Sequence, residues 1–117
     1  MPRTTKNRKI CHIPNYHIFK PDKNNCERIV LTLDELEAIR LADLETLDQD
    51  AAAEKMEISR ATFQRILYSA HKTIADALIN GKAIELKGGS YIIADNHCDS
   101  DTICKSCRFT EQQDDEK

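Results

Sequence analysis

Three side chains near the middle of the chain, Arg60, Gln64 and Arg65, carry the donor patterns that read the edges of nucleic-acid bases. An arginine fork matches the two acceptors of guanine, and a glutamine amide matches the donor–acceptor pair of adenine. Ser59 and Thr62 add hydroxyls suited to phosphate oxygens, and Ala61 leaves room for a close approach. On one helix, positions 60, 61, 64 and 65 share a face. A second chemistry sits near the C-terminus. Cys104-Lys-Ser-Cys107 has the bite of a metal-binding pair, and His97-Cys98 lies six residues upstream of it. Three thiolates, Cys98, Cys104 and Cys107, need a fourth ligand for a closed tetrahedral site. Cys11, His12 or Cys26 could supply it by folding the N-terminal arm back, and Cys11 is the residue assigned here. Thiolates suit zinc, the metal favoured here, and they also suit an iron–sulfur cluster.

The elements that must position the first group form a helix-turn-helix pattern from Gln49 to Ile66. A short helix containing Ala51, Ala52 and Ala53 closes at Met56, Glu57 and Ile58 make the turn, and Ser59 caps a second helix. Small Ala53 allows the two helices to cross closely. Ala52, Met56, Ile58, Phe63 and Ile66 provide the apolar contacts. The residue after Met56 is expected at positive φ, which favours glycine, and Glu57 there costs on the order of 1 kcal/mol. The second helix is predicted from Arg60 to about Asn80, stopped by Gly81. Phe63, Ile66, Leu67, Ala70, Ile74 and Leu78 form its expected buried stripe. Such a helix spans about 30 Å, so only its first turns fit a major groove about 12 Å wide. The same spacing also fits a helical hairpin packed for stability, or one used on protein.

Upstream, Arg28–Leu31 is β-prone and leads into a helix with a Thr32/Glu35 capping box and a Leu31/Leu36 staple. Leu36, Ile39, Leu41 and Leu44 give that helix an apolar face. From Asp34 to Glu57 nine residues are acidic and only Arg40 and Lys55 are basic, so phosphates are repelled and the region is assigned a support role. Downstream, residues 83–86 and 91–93 flank Lys87-Gly-Gly-Ser90 and predict a β-hairpin. Its expected role is to cover the core, pairing with residues 29–31, with a DNA-contacting wing as the alternative.

At 117 residues the chain fits one domain. The division expected is a basic N-terminal arm over 1–27, a helix-turn-helix domain with the hairpin over 28–94, and an acidic cysteine-containing tail over 95–117. The fold class is mainly α: a three-helix helix-turn-helix domain with a short β-hairpin and flexible termini. The net charge of −3 argues against a histone-like protein, but its distribution is uneven. Arg3, Lys6, Arg8 and Lys9 with Lys20 make the arm basic, and they could reach phosphates or a minor groove. No apolar run approaches the roughly 20 residues of a membrane span, and no signal-peptide core follows the basic start, so a cytoplasmic protein is expected. An odd number of cysteines, five, fits metal or thiol chemistry better than a disulfide framework. No nucleophile motif, cofactor loop or paired-carboxylate arrangement points to an enzyme.

Leu31-Thr-Leu-Asp-Glu-Leu-Glu-Ala-Ile-Arg-Leu-Ala-Asp-Leu44, Gln49-x-x-Ala-Ala-Glu-Lys-Met56 and Ser59-Arg-Ala-Thr-Phe63 resemble uncharacterised protein family 0251. Phe19-Lys-Pro21 and Gly81-Lys-Ala83 match it as well, and the resemblance covers about residues 1–89. The family's usual turn glycine is Glu57 here. The resemblance implies small bacterial and archaeal DNA-binding proteins, and the region is also similar to the promoter-reading domain of sigma factors. Together these readings predict a transcriptional regulator that binds double-stranded DNA, with a homodimer and a contact to RNA polymerase as further expected partners. The alternatives are a zinc or iron–sulfur sensor and a protein-interaction module.

Overall fold

The computed structural model describes residues 7–94 together with Cys104. The element order is β1 (Arg8–Ile10), β2 (Ile18–Phe19), β3 (Arg28–Leu31), α1 (Leu33–Ile39), α2 (Gln49–Met56), α3 (Arg60–Asn80), β4 (Ala83–Leu86) and β5 (Tyr91–Ile93). The described chain is mainly helical, with five short strands in two small sheets.

α1 starts where its capping box dictates. The Glu35 amide donates to Thr32 Oγ1 at 3.4 Å, and the Thr32 amide donates to Glu35 Oε1 at 3.0 Å. The helix continues into one π-helical turn over Arg40–Leu44, where the Glu45 amide donates to the Arg40 carbonyl. Glu37 and Arg40 both point inward, although each carries a charge. Arg40 Nη2 and Nε donate to the Glu37 carboxylate at 2.7 and 3.0 Å, and Arg40 Nη1 lies 3.4 Å from Glu45 Oε2. The remaining Glu37 oxygen capacity accepts the Cys11 amide at 3.0 Å, which ties the N-terminal segment to α1. Burial alone would push the Arg40 guanidinium down. The hydrogen bonds and charge of Glu37 outweigh that effect and hold it above its ordinary value, so Arg40 stays cationic.

The apolar interior has two parts. One gathers Ala38 and Leu41 with Ala52, Ala53, Met56, Phe63 and Ile66, and it reaches Cys11, Ala94 and Cys104. The other packs Leu31, Ala70 and Leu86 with Leu36, Ile39, Ile74 and Ile84, joining α1 and α3 to a sheet. α3 ends at Gly81, in the left-handed region at φ 68°. Two residues expected in apolar faces are solvent-exposed instead: Leu78 at 75 % and Leu44 at 68 %. Leu78 lies at the rim of an open cleft shared with Phe19, Pro21 and Ile84, which border it without covering it.

The expected hairpin does not form. β4 pairs with β3 in parallel, with Ile29 opposite Ile84, and with β2 in antiparallel, so both its edges are filled. The expected pairing with residues 29–31 is therefore present, while β5 pairs elsewhere, in parallel with β1. The Lys87–Ser90 segment crosses the start of α1, where the Leu33 amide donates to the Gly88 carbonyl at 3.0 Å. A Cβ at Gly89 would collide with Asp34 Oδ1 and Thr32 Cβ, and its φ of 106° suits glycine alone. Residues of the expected N-terminal arm are thus built into both sheets through β1 and β2.

α2 and α3 are joined by Glu57, Ile58 and Ser59. Glu57 adopts φ 60°, ψ 45°, the left-handed conformation its position calls for, and the Ile58 amide returns to the Ala53 carbonyl at 3.1 Å. Its carboxylate meets Lys9 at 3.5 Å on the surface, a contact of small energetic value.

Glu57→Gly is expected to raise stability by roughly 0.5–1 kcal/mol, the left-handed strain relieved less the entropy glycine adds to the unfolded chain. Urea denaturation checks this, and a loss of stability would contradict the assigned strain. Arg40→Leu leaves Glu37 and Glu45 without their cation and is expected to destabilise by roughly 3–5 kcal/mol. A change below about 1 kcal/mol in the same assay would show that the network is not structural.

Candidate nucleic-acid interface

The start of α3 is shaped by its cap. Ser59 Oγ accepts the Thr62 amide at 3.1 Å and donates toward Thr62 Oγ1 at 3.0 Å, satisfying a helix donor that would otherwise lack a partner. Phe63 and Ile66 turn inward against Ala52, Ala53 and Met56, and this fixes the rotation of α3 about its axis. Ser59, Arg60, Ala61, Gln64 and Arg65 are consequently exposed, and Thr62 is half-buried. No acidic residue lies in the first turn of α3.

Gln49, at the start of α2, organises this face, and its role was not read from the sequence. Its Oε1 accepts Gln64 Nε2 at 2.5 Å and Arg60 Nε at 3.4 Å. Arg60 also meets Asp50 at 3.6 Å, both side chains being largely in water. Arg65 Nη2 donates to Thr62 Oγ1 at 3.2 Å. Two arginines and a glutamine are thereby presented side by side, with their orientation set by residues on α2 and by the capping threonine. These exposed contacts are weak enough to exchange for an anionic or base-edge partner. The signal available in the sequence was the 11- and 15-residue separation of Gln49 from Arg60 and Gln64, which only a tight helix pair converts into contact.

The basic residues assigned to the arm divide. Arg8 is drawn inward: its guanidinium lies 3.8 Å from Asp34, with the side chain 17 % exposed. Lys9 reaches Glu57 in the turn between α2 and α3, which places it beside the exposed face of α3. Arg3 and Lys6 lie outside the described residues. Lys82 is engaged by Asp76 at 3.0 Å and Glu27 at 3.7 Å, so it offers little to a wing-like contact. Asp76 is held below the usual carboxylate range by the Asn80 amide and then by Lys82. His71 is an exposed helix residue bonded to Asp43 at 2.7 Å.

Of the thiols, Cys11 and Cys104 are buried in the same core as Phe63, whereas Cys26 belongs to neither part of the interior. Cys98 and Cys107 lie outside the described residues. His12 lines a separate cleft of about 290 Å³ with Tyr16, Phe19 and Leu36. Among the described residues, no helix is long and apolar enough to cross a membrane.

Comparison with known proteins agrees over most of this length. The family model described as "Protein of unknown function DUF134" matches residues 1–94. A UPF0251 protein of Ruminiclostridium cellulolyticum is 43 % identical over 121 aligned positions, covering 92 % of this chain and 95 % of its own. One from Caldicellulosiruptor bescii is 48 % identical over 79 % of this chain and 66 % of its own length. One from Clostridium botulinum strain Hall is 52 % identical over 78 % and 60 %. The match to these last two therefore spans less than two thirds of their length. No solved structure matches the chain. With four fifths of its sequence under that family model and one relative 43 % identical along nearly its whole length, the chain belongs to the DUF134/UPF0251 family.

Proposed function

We propose that this protein is a sequence-specific DNA-binding regulator whose α2–turn–α3 unit acts as a helix-turn-helix. The observation that carries the reading is the exposed, capped start of α3 presenting Arg60, Gln64 and Arg65 on one face. In this reading the first turns of α3 enter the major groove. Arg65 and Arg60 meet guanine edges or phosphates, Gln64 meets adenine, and Ser59 and Thr62 hold the sugar–phosphate backbone. Lys9, beside the turn, contacts an adjacent phosphate once it leaves Glu57. In this reading the acidic residues of α1 are held off the duplex, Asp50 of α2 releases Arg60 on binding, and the uneven charge limits the orientations in which the protein can dock.

A dimer on paired half-sites fits the same picture, because one such unit buries little surface on its own. Beyond its first turns α3 leaves Tyr68, Leu78 and Ile79 exposed, at 72 %, 75 % and 81 %, where a second copy would pack.

Selection of bound sites from random duplexes, repeated at two salt concentrations, is expected to yield a defined motif whose affinity falls steeply with salt. Arg65→Ala and Gln64→Ala should each weaken binding to that motif by about 1–3 kcal/mol, roughly 5- to 150-fold, and relax preference at one base position. Salt-insensitive binding to protein with no affinity for any duplex would overturn the reading. So would wild-type affinity in both variants.

A further inference from the structure

Between α1 and the segment that joins β1 to β2 the packing leaves an open cleft of about 290 Å³. Its walls are Leu36 and Ile39 of α1 with Leu86 of β4. These three side chains belong to the part of the interior that also packs Ala70 and Ile74 of α3, so the cleft is held by packed elements rather than by loops alone. Tyr16, Phe19 and Leu44 complete the apolar lining and stand 51 %, 54 % and 68 % exposed. Leu36 and Ile39 are themselves only half-buried. A continuous apolar surface is thereby left in water, and an occupant that covered it would gain from its burial.

The lining fixes the chemistry of that occupant. Tyr16 and Phe19 meet edge to face, with ring centroids 5.4 Å apart and planes at 84°, an arrangement that offers ring faces to a third aromatic ring. His12 borders the same cleft, and its Nδ1 is buried with no hydrogen-bond partner among the described residues. An unpaired buried nitrogen is destabilising, and a hydroxyl satisfies it in either tautomer, because a hydroxyl both donates and accepts. The imidazole borders open space, so rotation about its broad χ2 well presents Nδ1 to such a group. Arg40, the cation in the lining, already donates to Glu37 and Glu45 and recruits no anion. A charged ligand would lose its hydration among these walls without compensation. The volume lies at the bottom of the range for ligand pockets, roughly 300–1,000 Å³, which suits one or two rings and not a nucleotide.

We propose that this cleft is a binding site for a small uncharged aromatic molecule carrying a hydroxyl, its ring packed against Tyr16 and Phe19 and its hydroxyl bonded to His12. Binding is non-covalent. The cleft takes no lining residue from α2 or α3, so the inference does not rest on the DNA-binding reading.

Titration of the full chain with phenol, in the absence of DNA and followed by amide-resolved NMR, provides the test. Saturable shifts are expected at His12, Tyr16, Leu36, Ile39 and Leu86, with a Kd of about 1 mM or tighter. Benzoate, an anion of similar size, should bind at least about 10-fold more weakly. His12→Phe keeps a ring and removes the nitrogens; it should weaken phenol by about 5- to 10-fold while leaving toluene, which has no hydroxyl, within about 2-fold. Should that variant fail to fold, Phe19→Ala at an exposed position gives a separate readout and should weaken phenol and toluene alike. The absence of saturable shifts at about 10 mM phenol, or shifts centred outside the cleft, would overturn the proposal. Benzoate binding as tightly as phenol, or equal losses of phenol and toluene in His12→Phe, would do the same. So would cleft shifts that appear on raising the protein concentration alone, which would assign the surface to a second copy. Because the titration is read without DNA, its failure leaves the nucleic-acid reading intact, and the converse also holds.

Discussion

The close approach of α2 to the start of α3 is the constraint on which the described structure depends. Two small side chains, Ala52 and Ala53, are fully buried against Phe63 and Met56, and the turn between the helices has only three residues. So short a turn requires a left-handed residue, and Glu57 supplies it despite its side chain. A larger residue at Ala53 would force the helices apart and rotate α3. Arg60, Gln64 and Arg65 would then lose their common direction, and Gln49 could no longer reach two of them. The same cluster extends to Cys11 and Cys104, so the packing that orients α3 also receives these two side chains, far apart in sequence.

Behind this crossing lies a buried ionic network. Glu37, Arg40 and Glu45 have little or no access to solvent, and the carboxylate of Glu37 also accepts the Cys11 amide. Burial of such a group is tolerated only when its hydrogen bonds are nearly complete, so the network tolerates little variation in geometry. It fixes the π turn relative to α1 and the end of β1 relative to both. The chain thus separates its charges by depth as well as by position. Cations that could meet phosphates lie at the surface of α3, whereas Arg40 and Lys55 are held inside beside a thiol.

The helices were legible in the sequence because their signals are local. Thr32 with Glu35, Ser59 before Arg60, and Gly81 after Asn80 mark ends by chemistry acting within one turn, and the boundaries of α2 and α3 follow. The strands were less so. Lys87-Gly-Gly-Ser90 has the composition of a hairpin turn, yet both edges of β4 are occupied by β2 and β3, and that fact depends on residues more than 50 positions away. Parallel pairing of β1 with β5 leaves no local mark at all. Periodicity placed Leu78 in a buried stripe because spacing describes a face without saying whether anything covers it. At the candidate interface the outward residues of α3 followed from the helix register. Gln49 was missed because its bonds to Arg60 and Gln64 exist only across the helix pair. Glu37 with Arg40, at i and i+3, carried a usable signal of pairing but none of its burial.

The measurement that bears most directly on the central claim is an amide-resolved NMR titration of the full chain with a duplex carrying its selected site, at moderate salt. Binding through the start of α3 predicts the largest shifts and broadening at residues 59–65, at Lys9 and at Gln49 and Asp50, which release Arg60 and Gln64, with the acidic surface of α1 unchanged. Shifts confined to α1 or to the Tyr68–Ile79 stretch of α3, with residues 59–65 unmoved, would contradict it.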